Sequence, residues 1–154
     1  VTDKMHYTGK DIAQYIDQKE YVDTAVVPLI ELDASAGGMR ASAGASEYMQ
    51  LLTALLEKQF KGRMLLFPPI TYAKKADRIR LAEELKAEMD GTDFKHIFYM
   101  TADVSWKDSG QLENVLWLPA IPIESMDASF RKSVMEDQLR QVLPLFTKRW
   151  TNPS

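Results

Sequence analysis

Cysteine is absent from the 154 residues, which rules out disulfides, iron–sulfur centres, thiolate zinc sites and thiol nucleophiles. Histidine occurs twice, at His6 and His96. A Ser-His-Asp triad would have to use one of these, and no G-x-S-x-G elbow is present. Glycine is sparse at seven residues. None of them forms the G-x-G-x-x-G fingerprint or a P-loop ending in Gly-Lys-Ser/Thr. The longest apolar runs are about seven residues, against the ~20 that span a bilayer. The opening residues, VTDKMHYTGKD, lack the apolar core of a signal peptide. Neither sign of charge dominates, because 19 Lys and Arg oppose 22 Asp and Glu for a net charge of −3. That balance argues against a broad nucleic-acid groove. The expectation is a cytoplasmic protein with no cofactor, no nucleic-acid partner and no membrane insertion.

What is present reads as one α/β domain over residues 1–154, with 1–6 as an N-terminal arm. The composition, 45% apolar and 27% charged, is that of a globular chain. At this length roughly two-thirds of the unfolded surface can be buried without a staple. TGKDIAQYIDQKE (8–20) predicts a helix with Thr8 as N-cap and Asp11 in an approximate capping box. DTAVVPLIEL (23–32) predicts a strand buried on both faces. DASAGGMRASAGAS (33–46) reads as a loop, and EYMQLLTALLEKQF (47–60) as a helix with a wide apolar stripe. RMLLFPPI (63–70) is the second predicted strand, YAKKADRIRLAEELKAEMDG (72–91) a helix, and FKHIFYMTAD (94–103) the third strand.

A polar segment containing Asp108, Ser109 and Gly110 follows, with a short helical turn expected around Trp106 to Leu112. NVLWLPAI (114–121) is the fourth strand. The last helix begins near Asp127, turns Met135, Leu139, Val142, Leu143 and Phe146 to the core, and should bend at Pro144. This alternation predicts a three-layer sandwich: a mainly parallel four-stranded sheet, Rossmann-like, in the order 2-1-3-4, with helices on both faces. The parallel direction is favoured for the fourth strand, with an antiparallel edge as the alternative.

Proline falls late in three of these strands, in VVPLI (26–30), LFPPI (66–70) and LWLPAI (116–121). Pairing should stop or bulge at each, so that the chain leaves the carboxyl edge stiffly. Ligands of open α/β sheets bind beyond that edge, where connections diverge. A crevice there would draw Glu31 and Asp33 from the first strand and Thr101, Asp103 and Trp106 from the third. Trp106 would offer an aromatic face, with Arg40, Lys74 and Lys75 on the flanks. Lys74, Lys75, Arg78 and Arg80 crowd a predicted helix start, where the macrodipole disfavours positive charge. Ser42 or Ser46 is placed to cap the helix after the small-residue loop. Carboxylate metal sites of the Glu31, Asp33 and Asp103 kind usually depend on a phosphate substrate, and no metal is assigned. His96 opens the third strand at the opposite edge and reads as a packed residue.

Five stretches, DIAQYIDQKEYVDTA (11–25), KQFKGRMLLFP (58–68), FKHIFYMT (94–101), LWLPAIP (116–122) and EDQ (136–138), resemble the YpiF-like family of uncharacterised proteins from endospore-forming bacteria. The resemblance runs from Met5 to Trp150. It implies a small bacterial cytoplasmic domain with Met5 as the usual start, and it brings no catalytic residues. Two functions follow. The first is a non-enzymatic protein-interaction domain with an unknown protein partner. The second is an enzyme or binding protein for a small anionic ligand, a nucleotide or sugar phosphate, held at the carboxyl edge by Arg40, Lys74, Lys75, Thr101, Asp103 and Trp106.

Overall fold

The computed structural model describes residues 4–107 and 110–151. The expected polar segment at Asp108 and Ser109 therefore lies outside the described residues. In chain order the elements are α1 (Gly9–Asp17), β1 (Thr24–Leu32), α2 (Met39–Gln59), β2 (Met64–Leu66), β3 (Ile70–Ala73), α3 (Arg78–Asp90), β4 (His96–Thr101), β5 (Val115–Trp117) and α4 (Ala128–Thr151). A single 3₁₀ turn at Val104–Trp106 follows β4. Every strand pair is parallel, in the order β2-β1-β4-β5, with β3 also paired to β1. This is the expected order, with the fourth strand parallel and the second strand broken into two short pieces.

The break explains how a proline sits in the central strand. The N–H of Phe67 donates to the Val26 carbonyl at 2.9 Å. Backbone groups alternate between the two neighbours along a strand, so Pro28, two residues on, also faces the second strand. There the chain passes through Pro68 and Pro69, between the β2 register ending at Val26↔Leu66 and the β3 register starting at Leu29↔Ile70. The donor that Pro28 lacks falls opposite this gap. On the other side, pairing with β4 is continuous from Thr24↔His96 to Leu29↔Thr101. Pro119 has a plainer role. Leu118 makes the last contact, donating to the Thr101 carbonyl at 2.9 Å, and proline then ends the ladder.

α2 and α4 cover one face of the sheet. Tyr48, Leu52 and Leu56 of α2 and Met135, Val142 and Phe146 of α4 pack on Val26, Phe98 and Met100. Phe146 and Phe98 bring their ring centres to 4.1 Å, while Leu139 and Leu143 lie half-buried at the margin. Asp127 caps α4, accepting from the Phe130 N–H at 2.9 Å, and the helix continues through Pro144.

α3 covers the other face through Ala82 and Met89, against Ala25, Val27, Leu29 and Tyr99. α1 packs beside it, with Tyr15 in a cluster with Met5, Val22 and Leu65. The N-terminal arm extends the sheet edge, where Leu66 donates to the Met5 carbonyl at 2.9 Å and His6 bridges to Leu66 in parallel. Thr8 caps α1, accepting from the Asp11 N–H. Asp11 reaches past the expected box to the N–H of His6, at 2.9 Å.

Two element boundaries differ from the expectation. α2 starts at Met39, so most of the expected small-residue loop is helix. Ala41, Ala43 and Ala45 are strong helix formers, and the cap position falls on Gly38; neither Ser42 nor Ser46 fills it. α3 starts at Arg78, because Asp77 caps it by accepting from the Ile79 and Arg80 N–H groups. Tyr72 and Ala73 are strand, and Lys74 and Lys75 occupy a turn before the helix. The expected conflict of these two lysines with the helix dipole is thereby removed.

Candidate functional site

β1 runs into α2 on one face of the sheet, while the 3₁₀ turn after β4 packs Trp106 into the core on the other. Neighbouring strands whose connections leave in opposite directions open a crevice at their carboxyl ends. Here it measures about 210 Å³, with Glu31, Asp33, Gly38, Ser42 and Asp103 among its walls and Leu29 and Met49 among its lining. That is below the ~300–1,000 Å³ usual for small-molecule pockets.

Behind the crevice lies a hydrogen-bonded network centred on Arg78. Its Nη2 donates to Glu31 Oε2 at 2.6 Å and to Asp103 Oδ2 at 3.0 Å. Its Nη1 donates to the carbonyls of Lys74 and Ala76, and its Nε to the Ser105 hydroxyl at 2.9 Å. The guanidinium also stands 4.8 Å from the Tyr72 ring centre, a cation–π contact. The Tyr72 hydroxyl donates to Asp103 Oδ2 at 2.7 Å and accepts from Trp106 Nε1 at 2.7 Å. Burial raises the Tyr72 pKa well above the ordinary phenol value, and Asp103 adds to the rise. Burial opposes charge on Asp103 too, yet hydrogen bonds from Tyr72, Ser105 and Arg78 outweigh it and hold its carboxyl below the ordinary value.

Asp33 forms the opposite wall. Its Oδ1 accepts from the Ser35 N–H at 3.0 Å, and Lys74 Nζ lies 3.4 Å from Oδ2. Hydrogen bonds from Ser35, then Lys74, hold the Asp33 pKa below its usual value. A Cβ on Gly38 would collide with the Asp33 carboxylate, so glycine lets that carboxylate close on the start of α2. The chain's own carboxylate thus takes the position at a helix N-terminus that an anion would favour. Ser42 ties the same corner together, accepting from the Asp33 N–H and donating to the Glu31 carbonyl.

Of the residues expected at the mouth, Glu31, Asp33 and Asp103 line the crevice together. Thr101 is fully buried, its hydroxyl accepting from the Asp103 N–H. Trp106 is fully buried as well, so the expected aromatic face is turned into the core. Arg40 lies exposed in the first turn of α2 and Lys75 exposed in the turn before α3. The reading of the sequence missed Arg78 and Tyr72 as site residues. Arg78 was visible only as one cation among four, and nothing local marks which of them faces inward. His96 opens β4 at the far edge, as expected. Among the described residues no group of three or more His, Asp or Glu side chains is arranged to hold a metal ion.

A second surface lies between α2 and α4. Leu51, Leu55, Met126 and Met135 line a largely apolar groove of about 420 Å³, with Arg131, Lys132 and Glu136 also in its lining. Arg131 is anchored there, its Nε donating to the Ile123 carbonyl at 3.3 Å.

Sheet and crevice together define a parallel, three-layer α/β protein whose carboxyl-edge charges are tied to one another. Residues 13–150 match the family described as "Protein of unknown function (DUF2487)", and the chain belongs to that family. It is also 29% identical over 148 residues to "Uncharacterized protein YpiF" of Bacillus subtilis (strain 168), covering 96% of this chain and 99% of that protein. The expected likeness to YpiF is thereby established. No solved structure matches the chain. No helix among the described residues is long and apolar enough to cross a membrane.

Proposed function

We propose that this chain is a non-enzymatic protein-interaction domain whose α2–α4 groove takes an amphipathic helix with acidic residues beside its apolar face. The groove carries this reading. Half-buried Leu51, Leu55 and Met126 over buried Met135 supply an apolar floor, and Arg131 and Lys132 outweigh Glu136 at its side. An apolar helix face laid into such a groove is a common mode of recognition, and acidic partner residues match the charge. The charged groups at the carboxyl edge are bonded to each other, which supports a structural use of that edge. The cytoplasmic setting suggested by the composition belongs to the same proposal.

The test is fluorescence anisotropy with two synthetic helical peptides of identical leucine pattern, one bearing glutamates and one lysines. The acidic peptide should bind saturably and the basic one should not, and Leu55→Asp should abolish the binding. Equal binding of both peptides, or retention in the Leu55→Asp protein, would sink the reading. Self-association reversed by the same substitution would replace the helix with a second copy of the chain.

A second reading is an enzyme or binding protein for a small anionic ligand at the carboxyl edge. Arg40 and Lys75 favour it, since both are exposed, in the first turn of α2 and the turn before α3, with no ion-pair partner among the described residues. Melting temperatures that rise with nucleotide or sugar-phosphate concentration, and stop rising in the Arg40→Gln, Lys75→Gln protein, would support it.

A further inference from the structure

A cleft larger than either of these two surfaces lies away from both, where α1, the N-terminal arm and the last turns of α2 meet. Its volume is about 540 Å³, within the ~300–1,000 Å³ usual for small-molecule sites. Lys4 comes from the arm, Lys10 from α1, Lys58 from α2, and Lys61 from just beyond it. All four are exposed, and none has an ion-pair partner among the described residues. Two carboxylates also reach the cleft, Asp11 and Glu57, but they are buried and already engaged. Asp11 accepts from the His6 N–H. Glu57 accepts from the Met5 N–H at 3.1 Å and pairs with His6 Nε2 at 3.1 Å. The carboxylates hold the arm down through these bonds, and the four ammonium groups outnumber them two to one.

Helix electrostatics account for only part of this cluster. Lys58 and Lys61 stand at the C-terminal end of α2, where positive charge is favourable. Lys10 stands in the first turn of α1, where it is unfavourable. Four ammonium groups against two carboxylates leave this concavity net positive on a chain of net charge −3, and the excess repels itself. An incoming polyanion would relieve it, and a site that breaks a local rule in this way invites a functional reading.

We infer that this cleft binds a small, soluble polyphosphate, meaning a ligand with two or more linked phosphoryl groups. Lysine ammonium groups act as point charges toward phosphate, and a concave wall concentrates their field. The cleft volume suits a compact molecule, and the flanking helices α1 and α2 fix its sides. This site is independent of the groove and of the crevice.

The experiment is calorimetric titration of the full chain with inorganic pyrophosphate, with sulfate at matched ionic strength as the comparison. Pyrophosphate should bind at one equivalent and at least about tenfold more tightly than sulfate. Amide resonances that shift should cluster at residues 4–14 and 54–61. Lys58→Gln with Lys61→Gln should weaken binding by about tenfold or more while leaving the unfolding midpoint in place. The pair Lys74→Gln with Lys75→Gln should leave binding unchanged. Equal affinity for sulfate would mean an adventitious ion only and would overturn the inference. So would loss of binding in the Lys74, Lys75 control, or attachment to anionic phospholipid vesicles without any response to pyrophosphate.

Discussion

Arg78 and Glu31, 47 positions apart in the chain, join Nη2 to Oε2 at 2.6 Å. The bond ties the start of α3 to the end of β1, and the same nitrogen reaches Asp103 after β4 at 3.0 Å. One side chain therefore pins the ends of two adjacent strands and the helix start beside them. Arg78 keeps only 18% of its side chain exposed and Asp103 10%, so neither charge is well served by water.

Removing the guanidinium leaves two partly buried carboxylates facing each other. Arg78→Ala should lower unfolding free energy by about 2–4 kcal/mol, less than a fully buried pair would lose because Glu31 stays partly hydrated. Arg78→Lys should recover little, since an ammonium cannot reproduce the fork that meets Glu31, Asp103 and Ser105. Urea unfolding of both proteins checks this, and full stability in the lysine variant would show that charge alone suffices.

Phe146 is fully buried between Phe98 and the α2 face. Phe146→Ala should cost about 3–5 kcal/mol, the range for a large aromatic deleted from a close-packed core. A loss under about 1 kcal/mol would place the α4 stripe outside the cooperative core.

Alanine is a poorer N-cap than glycine, and at Gly38 the new methyl also meets the Asp33 carboxylate. The melting temperature should fall in Gly38→Ala, and the same substitution should cost clearly less in an Asp33→Gly background, where only the capping preference remains. A double-mutant cycle in thermal unfolding measures the coupling. Additive effects would mean that Asp33 moves aside freely.

Asp103 titrates below the ordinary carboxyl value of 3.8 in the folded chain. Its contribution to stability is complete above that value and drains away as pH falls through the lower folded value. Acid unfolding of Asp103→Asn should show a shallower decline below about pH 4 than the parent chain shows. Parallel curves would remove Asp103 from the acid transition.

His96 behaves in the same sense on a different scale. Burial lowers its pKa below 6.5, with Arg63, Arg149 and Lys95 assisting and Asp23 opposing. The folded chain prefers the neutral ring, so this contribution is present above 6.5 and lost as pH falls through the folded value. The drop in urea midpoint from about pH 7.5 to about pH 5.5 should be smaller in His96→Phe. An unchanged drop would assign it to other groups.

Alternating helical and β-branched apolar segments carried the architecture, because a strand buried on both faces must read as a continuous apolar run and a parallel neighbour requires a long crossover. The order of the strands, the faces of α4 and the crevice position were legible for that reason. Other features depended on partners distant in the chain. Pro28 reads as an interruption until Pro68 and Pro69 are set beside it, when three donors are missing from one place. The helical start of α2 was masked by glycines and serines, which locally suit a loop equally well. Trp106 looked like a ligand platform, but its ring N–H found a buried acceptor in Tyr72. Arg78 was one cation in a basic run until folding brought Glu31 and Asp103 to it. Periodicity is a property of neighbouring residues and survives in the sequence; a charge's partner is a matter of through-space distance, and only the folded chain sets that.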